Sequence, residues 1–102
     1  MANYFIFRGE NLDIQEGCIV ISKNGRDKSK YFVVVKVEDN LIYLCDGAIR
    51  KFELPKKKKI KHVQLTNMFS EYINVAIKEK RVLTNKEVQK EIARIVSKEE
   101  VV

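Results

Sequence analysis

The chain holds one proline, one histidine, two cysteines and four glycines in 102 residues. Each scarcity excludes something. So little Gly and Pro argues against a collagen-like or disordered chain. The cysteines, Cys18 and Cys45, both sit inside apolar runs, which predicts reduced, buried thiols. A disulfide between them requires a fold that brings them together. The lone histidine, His62, has no local nucleophile or positioning partner, so no general-base pair is legible. Two Cys and one His without close spacing do not make a zinc site. There is no Gly-rich loop leading into a helix to cradle a phosphate. Long apolar runs are missing too. No window reaches transmembrane length, and Tyr4-Phe5-Ile6-Phe7 is too short for a signal segment. The expectation is a cytoplasmic protein that is not an enzyme and uses no cofactor or metal.

Positive charge is what the chain has in excess. Lys and Arg number 20 against 14 Asp and Glu, a net charge of +6 with a pI near 9.4. The surplus is uneven: residues 1–66 hold 13 Lys/Arg against 8 Asp/Glu, and residues 67–102 hold 7 against 6. A basic N-terminal two-thirds favours a polyanionic partner, either nucleic acid or an anionic membrane. The membrane is disfavoured because Lys86, Lys90, Arg94 and Lys98 are offset by Glu87, Glu91, Glu99 and Glu100.

Patterning divides the chain into an N-terminal extension over 1–14, a β region over 15–66 and a helical tail over 67–102. Tyr4–Phe7 reads as a short strand or an apolar flap. Five short strands follow: Ile19–Ile21, Tyr31–Val37, Leu41–Cys45, Ile49–Leu54 and Ile60–Leu65. Asn24-Gly25, Asp39-Asn40 and Asp46-Gly47 supply the turns. Pro55 ends the fourth run, because it cannot donate to a ladder. Five close-spaced strands predict a small barrel and a mainly β fold. In the tail, Phe69, Tyr72, Ile73, Ala76 and Ile77 mark one helix face, with Asn67 as its N-cap. Thr84-Asn85-Lys86-Glu87 is a capping box opening a second helix, with Leu83 and Val88 as its staple and Val88, Ile92 and Ile95 as its stripe. The tail is thus expected to be a two-helix hairpin.

The most informative stretch runs from Gly17 to Val35. It is a strand, a polar loop holding Gly25, and a second strand. Lys23, Asn24, Arg26, Lys28 and Lys30 surround the loop. A glycine lets backbone approach a phosphate closely, and fanned cations neutralise its neighbours. This stretch resembles a KOW motif. With Asp46-Gly47-Ala48-Ile49-Arg50-Lys51-Phe52 and Pro55-Lys56-Lys57-Lys58-Lys59-Ile60-Lys61-His62, it is similar to bacterial KOW-domain RNA-binding proteins. Those in turn are similar to large-subunit ribosomal proteins of archaea and eukaryotes. The resemblance covers roughly residues 13–66. It implies an SH3-like barrel, RNA or ribosome binding, and no catalysis. Ser29 stands where the family often has glycine.

The second basic segment, Arg50 to Lys61, contains Arg50, Lys51, Lys56, Lys57, Lys58, Lys59 and Lys61 with one acid, Glu53. Taken alone, it reads as a solvated loop. Beside the basic loop it reads as a phosphate-binding surface, provided both lie on one face. Of Tyr31, Phe32, Tyr43 and Phe52, core packing is expected, and Tyr31 is the best candidate to stack on a base because it adjoins Lys30. His62 is expected to add to the basic face. The expected partner is RNA, and rRNA in particular, with a further protein contact through the C-terminal helices. The alternative is an SH3-like protein-interaction module using the barrel or the helical tail.

Overall fold

The computed structural model describes residues 14–100, and side chains through Lys98. The Tyr4–Phe7 segment lies outside the described residues. The architecture is mainly β: five antiparallel strands in one sheet, with two helices against it. The strands are β1 (Cys18–Ser22), β2 (Tyr31–Glu38), β3 (Leu41–Cys45), β4 (Lys56–Lys59) and β5 (Val63–Phe69), in the order β4-β3-β2-β1-β5. The helices are α1 (Glu71–Lys78) and α2 (Asn85–Glu100).

The β-branched runs form β1, β2 and β3 where the alternation expects them. Asp39 and Asn40 make the turn between β2 and β3, with Asp39 at φ 53°. Glu38 faces Leu41 across that turn. The described pairings do not close the sheet as a barrel. β5 returns beside β1, and the outer strands β4 and β5 are joined by a single 3-10 turn, Ile60–His62. Of the expected five-strand barrel, the described residues show the five strands as one antiparallel sheet.

Two expected strands are corrected. Residues 49–54 do not form one, because their backbone is captured elsewhere. The Asp46 carboxylate accepts the amides of Ala48 and Arg50, both at 2.9 Å. The Asp46 and Gly47 amides donate to Arg50 O, and the Phe52 amide donates to Asn85 Oδ1 at 2.7 Å. The fourth strand is the lysine run itself, which pairs with β3 as Leu41↔Lys59, Ile42↔Lys58, Tyr43↔Lys57 and Leu44↔Lys56. Lysines suit an outer strand, since they discourage a further chain from adding to it. Residues 60–62 likewise form the 3-10 turn, and β5 continues to Phe69.

The first helix begins later than Asn67. Thr66 and Asn67 stay in β5, where Thr66 Oγ1 donates to Ile19 O at 2.6 Å. Ser70 caps α1 instead, its Oγ accepting from the Ile73 amide at 3.0 Å and donating to Glu91 at 2.7 Å. The capping box of the second helix forms as expected. The Glu87 amide donates to Thr84 Oγ1 and the Thr84 amide to Glu87 Oε2, both at 3.1 Å.

The core has two parts, one on each face of the sheet. Ile19, Val33 and Cys45 pack with Ile73, Ala76, Leu83, Val88 and Ile95 from the helical region. Val20, Phe32, Val34, Ile42, Leu44 and Val63 pack together on the other face. Alternation along the strands sends neighbouring residues into different clusters. The helices therefore share a core with the sheet. Gly47 marks where the two meet. It sits at φ 79°, and a Cβ there would fall 2.3 Å from Asn85 O. Gln89 Nε2 donates to Gly47 O at 2.6 Å.

Candidate functional site

The structure brings the two basic segments together. The β1–β2 loop, residues 23–30, is clamped at two points. Lys58 of β4 donates to Ser22 Oγ at 2.8 Å and to Asn24 O at 3.1 Å. Arg50 donates to Asp27 Oδ2 through Nε at 3.2 Å and Nη2 at 3.0 Å. Asp27 is only 6% exposed, so this pair fastens the loop from inside. Lys23 is held too, its amide donating to His62 O at 3.0 Å. The loop, β4 and the 3-10 turn are thus one assembly.

Gly25 has φ 80°, and a Cβ there would meet nothing closer than Lys58 Nζ at 4.0 Å. The glycine is required by backbone geometry and not by crowding. Ser29, in the same loop, adopts φ 74° despite carrying a side chain. Its amide donates to Ser22 O at 2.8 Å.

The sequence-predicted residues divide by what their side chains do. Lys23, Arg26, Lys28, Lys30, Lys51, Lys56, Lys57, Lys59 and Lys61 are exposed and make no ion pair among the described residues. Arg50 and Lys58 are braces: the first holds a buried carboxylate, and the second holds the loop. Asn24 and Gly25 are exposed loop backbone that the Lys58 ammonium adjoins. Tyr31 is half-buried against the helix-side cluster, which takes it toward the core. His62 is half-buried, and its carbonyl is engaged by Lys23.

Two hollows form between these cations. One, of about 720 Å³, is lined by Lys23, Asn40, Lys59, Ile60, Lys61, Val63, Gln64 and Leu65. The other, of about 550 Å³, lies between residues 49–51 and 53–57 and includes Lys51, Lys56 and Lys57. On the helix-side face of the sheet, Lys57 of β4 and Lys36 of β2 both sit over the Tyr43 ring of β3, at 5.9 and 5.3 Å from its centre. The Tyr43 hydroxyl donates to Glu38 at 3.0 Å, and this bond, ahead of the contribution of Lys36, holds the Glu38 carboxyl below its usual range.

Sequence reasoning missed Lys36, Asn40, Gln64 and the apolar lining of the larger hollow. Gln64 carried no distinct signal, because β5 also holds Thr66 and a second amide, Asn67. Asn40 was read only as a turn former. The pairing of Lys36 with Tyr43 depends on a register shift in β2 between Val34 and Lys36, which no pattern announces.

Reactive groups elsewhere are quiet. Burial, with help from Asp46 and Glu53, pushes the Cys45 thiol up to about 12. It is therefore a thiol, not a thiolate, at neutral pH. Among the described residues, no helix is long and apolar enough to cross a membrane. No family model matches the chain, and no curated protein matches it significantly.

Proposed function

We propose that the protein is a KOW-type RNA-binding protein with an SH3-like fold, acting on rRNA or at the ribosome in the cytoplasm. The observation that carries this is the clamp at Lys58. It fastens the glycine loop to the lysine strand, so two basic segments far apart in sequence share one end of the sheet. Among the described residues, the nearby lysines and Arg26 make no ion pair, which suits a polyanion. Consecutive like charges repel in the free protein, and phosphates relieve that repulsion. The strand order supports the SH3-like reading, since the last strand returns beside the first across one tight turn. Binding is led by phosphates, and no covalent step, cofactor or metal enters it.

The helical tail offers a protein partner less than its sequence suggests. Ile73, Ala76, Val88 and Ile95, which carried that expectation, are buried with the sheet. Tyr72, Val75 and Val82 remain exposed.

The test is salt dependence. Neutralising roughly four to six phosphates gives a slope of about −3 to −5 in log affinity against log salt. Fluorescence anisotropy on a structured rRNA fragment measures it, and a flat response overturns the reading. Co-sedimentation with ribosomes that survives RNase treatment would instead favour a protein contact.

A further inference from the structure

We infer that the hollow at the β4–β5 corner is a subsite for an unpaired nucleotide of the bound RNA. The inference rests on the RNA-binding reading and deepens it, because phosphate contacts alone do not need this hollow. Its volume of about 720 Å³ is in the range of sites that enclose a small organic ligand, roughly 300–1,000 Å³.

Three properties point to a base. The first is the apolar lining. Ile60, Val63 and Leu65 border the hollow and also pack with the cluster of Val20, Phe32 and Ile42. The core therefore holds them rigid, and they offer a dry surface to a flat ring. The second is a pair of exposed amide side chains, Asn40 and Gln64. Each has a donor and an acceptor, which is what a base edge requires. The third is the charge around them. Lys23, Lys59 and Lys61 border the same hollow, and none makes an ion pair among the described residues. They are placed to hold the phosphates on either side of the base.

The hollow is also fixed in shape. The Ile60 amide donates to Asn40 O at 3.0 Å, tying the β2–β3 turn to the 3-10 turn. The Lys23 amide donates to His62 O at 3.0 Å, tying the end of β1 to that same turn. A regular duplex keeps its bases stacked and shows phosphates and sugars, so it would leave the apolar lining unused. Unpaired bases in loops, bulges and single strands are the part of RNA that can enter.

The experiment uses the full chain and two labelled probes: a blunt RNA duplex, and the same duplex with a three-nucleotide bulge. The wild-type protein should bind the bulged probe about tenfold more tightly, within the gain of one base contact. The double variant Asn40→Ala/Gln64→Ala alters exposed side chains, and a melting curve checks its fold. It should lose that preference while binding the blunt duplex within about threefold of wild type. Equal, salt-sensitive binding of both probes by the wild-type protein overturns the subsite and leaves the RNA-binding reading standing. A preference that survives in the double variant removes it from this hollow. Failure to bind either probe overturns both readings.

Discussion

The two layers of the molecule carry positive charge in different ways. On α2, Arg94 pairs with Glu91 at 3.0 Å, and Lys86 and Lys90 are interleaved with Glu87 and Glu91. At the β4 corner of the sheet, Lys56, Lys57, Lys59 and Lys61 have no ion-pair partner among the described residues. Both layers are rich in lysine, so content does not separate them. The arrangement does. Interleaved charges cancel within a few ångströms of the surface, whereas gathered ones sum to a field that reaches a polyanion in solution.

The contrast can be sharpened first within the basic corner, where Arg50 is a brace and its neighbours are not. Replacing Arg50 with alanine strands the buried Asp27 carboxylate. Stability should fall by about 3 kcal/mol in urea unfolding, reduced somewhat by the partial exposure of Arg50. RNA affinity of the protein that remains folded should change by less than about threefold. A large loss of affinity without a loss of stability would return Arg50 to the binding surface.

Charge reversal then compares the layers directly. Lys56→Glu, Lys57→Glu and Lys59→Glu together should weaken RNA binding by about 30- to 100-fold at low salt, alike across sequences. Lys58 is left intact because it holds the loop. The same number of reversals on α2, at Lys86, Lys90 and Lys98, should cost less than about threefold. Equal losses in anisotropy titrations would break the comparison.

Acid should weaken the contrast from the helical side. Glu53 is held below its usual range chiefly by hydrogen bonds from Asn85. Glu87 is held low chiefly by Tyr72 and then by the Thr84 backbone. A carboxyl lowered in the folded state contributes stability above its unfolded value, near 4.5. That contribution disappears as pH falls through the lower folded value. Thermal melts should therefore show a falling Tm below about pH 4.5, and Glu53→Gln with Glu87→Gln should flatten the fall. The smallest effect is expected in the loop: Ser29→Gly relieves a positive φ and should stabilise the protein by roughly 0.5–1 kcal/mol.

The legible parts of this fold were those specified by neighbours in sequence. The capping box at Thr84 and Glu87 formed as read, because its bonds span a single turn. Strands β1, β2 and β3 were legible from β-branched alternation and the Asp39-Asn40 turn. The lysine strand was not, because lysine is a poor strand former and only pairing with β3 makes these residues extended. The run at 49–54 misled for the opposite reason. Its alternation is real, but Asp46 and Asn85 claim its amides. Ser70 took the cap expected at Asn67 because β5 continued past it. Of the candidate site, the cations were visible and their juxtaposition was not. The hollow at the β4–β5 corner is assembled from the end of β1, two turns and two strand ends.

The sheet is also a partition. Cys18 packs with the cluster around Val20 and Phe32, and Cys45 is buried in the cluster beneath the helices. A layer of backbone separates the two sulfurs, and no change of rotamer carries either through it. A disulfide within one chain would require the sheet to come apart. Non-reducing electrophoresis after mild oxidation therefore turns this pair of cysteines into a built-in gauge of unfolding. The folded protein gives no internally cross-linked band, and such a band appears only as β1 and β3 leave the sheet.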